Sequence, residues 1–282
     1  MEIDWGAVEP PGAEGFMVVT ESAGALLVGA VSGIHRLEGD AWTHPHVARM
    51  SWMRGAFGDA GGFACVVGDL GLTLASWDGG RSFERVDVGT DARLEGGVVR
   101  GDDVWIVGAG GTVLRSTDRG RSFAPQASGS RQHLSGICRA PEGHLLVSGT
   151  MGTLLRSDDG EAWRVERQKG EKFIYGVAAD GELVVAPASG GAAFVSVGGR
   201  DFSTKRTGTK GYFYAGASAA GGRAFAAGSD ARRAVVVATD DGRRWAVSHP
   251  DVPDPQVHGV HARGRDEVWI ATGGALLRGR CV

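Results

Sequence analysis

The residues best suited to proton transfer or ligand binding recur at a regular spacing along this chain. All three tyrosines, Tyr175, Tyr212 and Tyr214, lie in two short aromatic segments, and equivalent positions elsewhere carry arginine, glutamate and histidine. Such groups can exchange protons, and aromatic and arginine side chains dominate many binding sites. The candidate ligand-binding residues are Arg49, Arg93, Glu95, His133, Tyr175, Tyr212, Tyr214 and His258.

Metal, phosphate and covalent chemistry receive little support from the sequence. His44 and His46 form one histidine pair and His258 and His261 another, but neither has a Cys, Asp or Glu set at a recognisable spacing. The glycine-rich stretch 108–112 lacks the lysine and the following helix that a phosphate loop needs. We therefore expect no metal, no cofactor and no catalytic residue.

Composition favours an all-β protein built from many turns. The chain has 282 residues, of which 48 are glycine, well above the usual ~7%. Its net charge of −3 argues against a nucleic-acid partner, and no apolar run approaches the ~18 residues that span a bilayer. Cys65, Cys138 and Cys281 are expected to be free thiols. Without a visible signal peptide, these features predict a cytoplasmic protein.

A sequence repeat of about forty residues defines the architecture. Residues 71–83 (GLTLASWDGGRSF), 111–123 (GTVLRSTDRGRSF) and 152–163 (GTLLRSDDGEAW) align, and weaker copies surround them. Periods of this length indicate repeat folds. The aromatic residue that closes each copy recurs at intervals of 37 to 43 residues, at Trp5, Trp42, Phe83, Phe123, Trp163, Phe202 and Trp245.

Each period contains four short runs separated by Gly and Asp turns, which predicts four strands per repeat. Four strands repeated radially form a propeller blade. Only three strands follow Trp245, near 257–262, 267–271 and 275–279, whereas residues 2–8 form a strand without a partner. We therefore predict a seven-bladed β-propeller in one domain, 1–282, closed by an N-terminal strand that completes the last blade.

The turn pattern S/T-x-D-x-G-x-x-F/W resembles the Asp-box, or bacterial neuraminidase repeat. The resemblance implies that the Asp carboxylate accepts backbone hydrogen bonds in the turn, that Gly adopts positive φ, and that the aromatic residue packs between blades. We expect Asp78, Asp118, Asp158 and Asp240 to have this structural role. The alternative, a metal site or a pair of catalytic carboxylates, is less favoured because local bonding explains the spacing.

The candidate ligand-binding residues flank an apolar position at the predicted start of each innermost strand. Lys169, Lys172, Lys205 and Lys210 lie in the adjoining loops. Convergence of these side chains at the mouth of the central channel predicts a ligand funnel, whereas a merely solvated channel mouth is the alternative. The turns of the Asp-box pattern lie at the opposite face.

Three functions follow from this arrangement. The first is a monomeric, non-catalytic binding or assembly protein that grips a peptide, protein or small organic ligand on the funnel face. The chain resembles the photosystem II assembly-factor propellers in blade number and turn motif, and this resemblance implies such a role. The second is an enzyme, a lyase, isomerase or cyclase, with acid–base groups in the funnel. The third is an adaptor that uses the blade edges.

Overall fold

The computed structural model describes residues 1–46, 52–168, 170–230 and 232–282. Within these residues, 28 strands form seven antiparallel sheets of four strands each, arranged as the blades of a ring. The all-β, seven-bladed β-propeller predicted from the repeat is therefore confirmed. No helix in the described part of the chain is long and apolar enough to cross a bilayer.

The strands follow the chain blade by blade, and each blade runs from the channel outward. The first strand, β1 (Ile3–Val8), belongs to the last blade. Blades 1 to 3 contain β2 (Phe16–Ser22), β3 (Ala25–Ala30), β4 (Gly33–Glu38), β5 (Ala41–His46); β6 (Met53–Gly58), β7 (Ala64–Gly68), β8 (Thr73–Ser76), β9 (Glu84–Arg85); and β10 (Leu94–Arg100), β11 (Asp103–Gly108), β12 (Val113–Ser116), β13 (Ala124–Gln126).

Blades 4 to 7 continue the same order, with β1 as the outer strand of blade 7. They contain β14 (Leu134–Arg139), β15 (Leu145–Gly149), β16 (Thr153–Ser157), β17 (Arg164–Gln168); β18 (Ala178–Asp180), β19 (Leu183–Ala188), β20 (Ala192–Val197), β21 (Ser203–Arg206); β22 (Ala217–Ala220), β23 (Arg223–Asp230), β24 (Arg233–Thr239), β25 (Ala246–Ser248); and β26 (Val257–Ala262), β27 (Glu267–Thr272), β28 (Leu276–Cys281). In the described part of the chain, four short 3₁₀ turns lie at Asp69–Gly71, Ala109–Gly111, Pro141–Gly143 and Thr150–Gly152.

The N-terminal strand closes the ring as predicted. Strand β1 pairs antiparallel with β28, from Ile3 opposite Cys281 to Val8 opposite Leu276. The backbone N–H of Val282 donates to the carbonyl of Glu2 at 3.0 Å, which extends this pairing beyond the strand ends. Closure matters because blade 7 would otherwise expose the unpaired edge of β28.

The hydrophobic core lies between neighbouring blades, and large side chains of one blade contact the turn of the next. Trp105 on β11 is fully buried, and its indole N–H donates to the carbonyl of Gly160 at 2.9 Å. A Cβ on Gly160 would lie 2.4 Å from that ring, and the residue has a φ of +81°. Both constraints require glycine at this turn position.

The turn carboxylates of blades 2 and 3 bond as the sequence predicts. One carboxylate oxygen of Asp78 accepts the backbone N–H groups of Arg81 and Ser82 at 2.8 and 3.0 Å. Asp118 bonds Arg121 and Ser122 in the same way at 3.0 and 2.9 Å. Burial raises the pKa of Asp78, but hydrogen bonds from Ser82, Ser76 and the turn backbone lower it to about 2. Side-chain hydrogen bonds from Ser116 and Ser122 are the main cause that lowers the pKa of Asp118 to about 2.

In blades 4 and 6 the turn carboxylate is one residue later than predicted. Asp159 accepts the backbone N–H groups of Glu161 and Ala162, and Asp241 accepts those of Arg243 and Arg244, all at 2.8 to 2.9 Å. Asp158 pairs with Arg156 and Arg164 instead, and Asp240 with Arg223 and Arg265. The motif of these copies is one residue shorter, so the second Asp of each pair reaches the turn.

Candidate functional site

The connections that lead into each innermost strand lie at the same face as the turns between the second and third strands. The backbone N–H of Ala109 donates to the carbonyl of Arg93 at 2.8 Å, that of Thr150 to His133 at 2.9 Å, and that of Ser189 to Phe173 at 2.9 Å. The central channel opens on this face into a cavity of about 580 Å³. We call this cavity the funnel.

Seven side chains, one from each blade, form an inner ring around the funnel. In five blades the ring residue is the extra residue of a β-bulge next to the first pair of the innermost strand. A bulge leaves one residue unpaired and redirects its side chain, here into the channel mouth. The ring consists of Met17, Arg54, Glu95, Ser135, Tyr175, Tyr214 and His258.

An outer tier lies two positions before each ring residue. Trp52, Arg93, His133 and Phe173 belong to this tier and also line the funnel. The residue between the tiers is buried in every blade, as Leu94 and Leu134 illustrate. It anchors the strand in the core while its two neighbours reach the cavity.

Aromatic side chains cover the funnel on the side of blades 5 and 6. The rings of Tyr175 and Tyr214 meet edge to face at 5.2 Å, Tyr212 stacks on Tyr214 at 5.8 Å, and Phe173 stacks on Tyr175 at 6.2 Å. Tyr175 is half-buried, and this burial, with the nearby tyrosines, raises its pKa to about 12. Its phenol therefore stays neutral and able to donate a hydrogen bond at physiological pH. We call these four residues the aromatic arc.

Charged side chains occupy the side of blades 3 and 4. Nε of Arg93 lies 2.7 Å from Oε1 of Glu95, and Nε2 of His133 lies 3.0 Å from the same oxygen. Nη2 of Arg93 is 3.2 Å from that imidazole nitrogen. Protonated Nε2 donates to Glu95, whereas unprotonated Nε2 accepts from Arg93. The three groups therefore form a connected acid–base cluster open to the cavity.

Arg54 and His258 complete the polar side of the ring. Arg54 donates to both oxygens of Asp69 at 2.9 and 3.1 Å, and these bonds raise its pKa. Its guanidinium also lies 5.3 Å from the ring centre of Trp52. The pKa of His258 is lowered by burial first, and the charge of Arg54 acts in the same direction. This imidazole is therefore neutral near pH 7.

Below the funnel the innermost strands approach one another closely. A Cβ on Gly136 would lie 3.0 Å from the Cα of Gly176, and one on Gly176 would lie 2.9 Å from the Cα of Gly216. Only glycine permits this approach. The glycines of blades 4, 5 and 6 therefore bring the innermost strands together below the funnel.

Six of the eight predicted binding residues line the funnel: Arg93, Glu95, His133, Tyr175, Tyr214 and His258. Tyr212 stacks on the funnel residue Tyr214 but lines a neighbouring cavity of about 430 Å³. Arg49 lies outside the described residues, as does Lys169.

Sequence reasoning missed Arg54 and Trp52 because the innermost strand of blade 2 was expected to begin near residue 50. The strand begins at Met53, which is paired with Gly68. Leu134 is paired with Gly149 at the same separation along the chain. Counting back from the repeated glycine turns would therefore have placed Arg54 in the ring.

Two other strand starts also differ from the expectation. Residues 173–175 and 212–214 precede β18 and β22, and they are held by isolated bridges from Ile174 to Ala188 and from Tyr212 to Ser229. The bridges keep these segments beside the sheet without making them part of it. The aromatic arc therefore rests on connections that lead into the innermost strands.

Comparison with known proteins supports the fold and gives no family assignment. No family model matches the sequence, and a search of curated proteins gives no match. The chain is similar to the solved structures "YCF48 bound to D1 peptide" (TM-score 0.70, 15% identity, 99% of this chain and 95% of that chain) and "YCF48 from Cyanidioschyzon merolae" (0.68, 15%, 98% and 98%).

An enzyme of similar fold is also found among the solved structures. Virginiamycin B lyase from Staphylococcus aureus superimposes with a TM-score of 0.74 at 11% identity and covers all of both chains. At these identities the likeness establishes the seven-bladed propeller alone. The same scaffold thus occurs in a protein solved with a peptide and in a lyase.

Proposed function

We propose that this protein is a non-catalytic binding or assembly protein that holds a peptide, protein or small organic ligand in the funnel. The aromatic arc carries this proposal. Its rings contact one another at the cavity, and Tyr214 is 56% exposed although it is a large side chain with a rigid neighbour on each side. Tyrosine supplies large contact area with few rotors, which makes it a frequent binding hot spot.

The charges around the funnel favour a ligand with apolar groups and neutral hydrogen-bonding groups. Arg54 is paired with Asp69, and Arg93 with Glu95. His258 is neutral near pH 7 because burial lowers its pKa. An apolar side chain can therefore contact the aromatic arc while amide or hydroxyl groups bond the polar side.

Two variants test the site directly. Purified protein is titrated with a library of small organic fragments and with short synthetic peptides, and binders are followed by ligand-observed NMR. Tyr175→Ala and Tyr214→Ala should each weaken binding by about 2 kcal/mol, or roughly thirty-fold in Kd. Val197→Ala is the control, because Val197 is an exposed apolar residue at the end of β20, away from the funnel. Unchanged binding in both tyrosine variants would place the site elsewhere.

The acid–base cluster favours a second candidate function, an enzyme of the lyase, isomerase or cyclase type. Glu95 and His133 are within hydrogen-bond distance and face the cavity, so either could transfer a proton to a bound molecule. Mass spectrometry of each bound fragment after incubation tests this alternative. Conversion by the wild type that is lost in Glu95→Gln would replace the binding proposal with an enzymatic one.

A further inference from the structure

Four turns on the funnel face share one backbone conformation. They connect the second and third strands of blades 2 to 5, and the residue at each tip has a positive φ. The tip residue is glycine in blades 3 and 5, where Gly110 and Gly190 have φ values of +68° and +71°. Blades 2 and 4 carry Leu70 at +56° and Met151 at +55° instead.

Leucine and methionine are unfavourable choices at these tips. The left-handed region brings Cβ close to the backbone, so glycine is the default residue there. Packing does not compensate for the strain, because Leu70 is 71% exposed and Met151 is 46% exposed. Neither side chain lines the funnel. Folding alone therefore gives no reason for a large apolar residue at either position.

Exposed apolar side chains are concentrated on this face. Eleven large ones are exposed in the described residues, and six of them surround the funnel: Trp52, Leu70, Met151, Phe173, Tyr212 and Tyr214. Two others are the terminal residues Met1 and Val282, and the remaining three are valines on the outer half of blades. Exposed apolar groups gathered around a cavity are typical of a protein-binding surface.

The turn between the two apolar tips carries no side chain at its tip. Blade 3 lies between blades 2 and 4, and its tip residue Gly110 has no atom within 4 Å of the position that a Cβ would occupy. Arg93, at the entry to blade 3, is bonded through its carbonyl to the same turn. A chain that leaves the funnel over blade 3 would pass between Leu70 and Met151.

We propose that the partner is an extended segment of another protein that occupies the funnel and crosses the rim between Leu70 and Met151, with an apolar side chain against each. This inference rests on the proposed function and names its partner class. A small molecule confined to the funnel would leave both rim residues in water. A peptide of twelve residues spans up to about 40 Å when extended and can reach the aromatic arc and the rim together.

Selection of linear peptides provides the test. Phage-displayed random peptides of twelve residues are selected on the wild-type protein, and enriched sequences are synthesised for titration. The double variant Leu70→Gly, Met151→Gly should lose at least ten-fold in affinity. Glycine relieves the backbone strain of the folded state but also raises the conformational entropy of the unfolded chain. The melting temperature of the double variant should therefore stay within about two degrees of the wild type or rise.

A matched control and a funnel variant make the outcomes distinguishable. Ala23 is also exposed and has a φ of +48°, but it lies in the turn between β2 and β3 on the opposite face. Ala23→Gly should leave peptide affinity unchanged. Peptides that lose affinity in Tyr214→Ala but not in the double variant would overturn the rim contact and leave the funnel site intact.

Two further results would also reject the inference. Selected peptides that are insensitive to both the funnel and rim variants would contradict the proposed site as well as the rim contact. Failure to enrich any peptide, together with fragment binding that depends on Tyr214, would show that the ligand is a small molecule held in the funnel alone.

Discussion

The turns and the funnel of this propeller use carboxylates in different ways. In the turns, Asp118 and its counterparts Asp78, Asp159 and Asp241 bond backbone groups within four residues. On the funnel face, Glu95 bonds Arg93 on its own blade and His133 on the next. The turn carboxylates therefore bond locally, whereas Glu95 joins two blades.

This difference separates stability from recognition. Hydrogen bonds inside a turn fix the turn and leave no group for a partner. Funnel side chains converge from seven blades, and several remain exposed although they are large. We therefore expect changes on the turn face to alter the free energy of unfolding without altering affinity, and changes on the funnel face to do the reverse.

The largest expected effect on stability is at the contact between a blade and the next turn. Trp105→Ala removes a fully buried indole and one of the two side-chain donors to the carbonyl of Gly160, the other being Gln126. We expect a loss of about 3–5 kcal/mol in the free energy of unfolding, measured by urea denaturation. Trp163→Ala is the control and should cost less, because that indole is only half-buried. Equal losses in the two variants would show that burial of the indole between blades does not determine the loss in the free energy of unfolding.

A smaller effect distinguishes neighbouring aspartates in the turn of blade 4. Asp159→Ala leaves two backbone N–H groups without their acceptor and should cost on the order of 1 kcal/mol of stability. Asp158→Ala leaves the turn bonds intact but removes the carboxylate that accepts from Arg156, whose side chain is buried, so it should cost more than Asp159→Ala. Urea denaturation of both variants tests the assignment, and a smaller loss in Asp158→Ala would contradict it.

The turn of blade 3 should show the separation of the two faces most directly. Asp118→Ala removes the acceptor of two backbone hydrogen bonds and should cost on the order of 1 kcal/mol in the free energy of unfolding. The affinity for any fragment or peptide that depends on Tyr214 should not change. Weaker binding at unchanged stability would contradict the expectation that the turn face determines stability and the funnel face determines affinity.

The smallest effect is a dependence on pH. The turn hydrogen bonds, through Ser116 and Ser122 first, lower the pKa of Asp118 from 3.8 to about 2. The unfolded chain therefore takes up the proton first as the pH falls, so the contribution of this carboxylate is present above pH 4 and lost toward pH 2. The difference in unfolding free energy between wild type and Asp118→Asn should shrink from pH 5 to pH 3. A constant difference would rule out this linkage.

The sequence by itself determined the blade number, the four strands of each blade and the closing role of the first strand. These features follow from a repeat of about forty residues and from the strand missing after Trp245. For blade 7 the predicted strands 257–262 and 267–271 lie within one residue of β26 and β27. Turn residues and the alternation of apolar and polar residues are visible in the sequence itself, so they predict the strands and their number directly.

Only the tertiary structure decided which side chains meet at the funnel and which aspartate caps a shortened turn. The bulge that directs Arg54 into the ring depends on the pairing of Met53 with Gly68, and the weak repeat before blade 2 conceals that register. Asp158 and Asp159 are adjacent and of the same residue type, so the sequence does not distinguish them. In the structure Asp158 accepts from the side chain of Arg156 on β16, whereas Asp159 accepts from the backbone of the turn. Register and contact between blades are set by packing, because a shift of one residue changes the side chain that faces the cavity without changing the repeat.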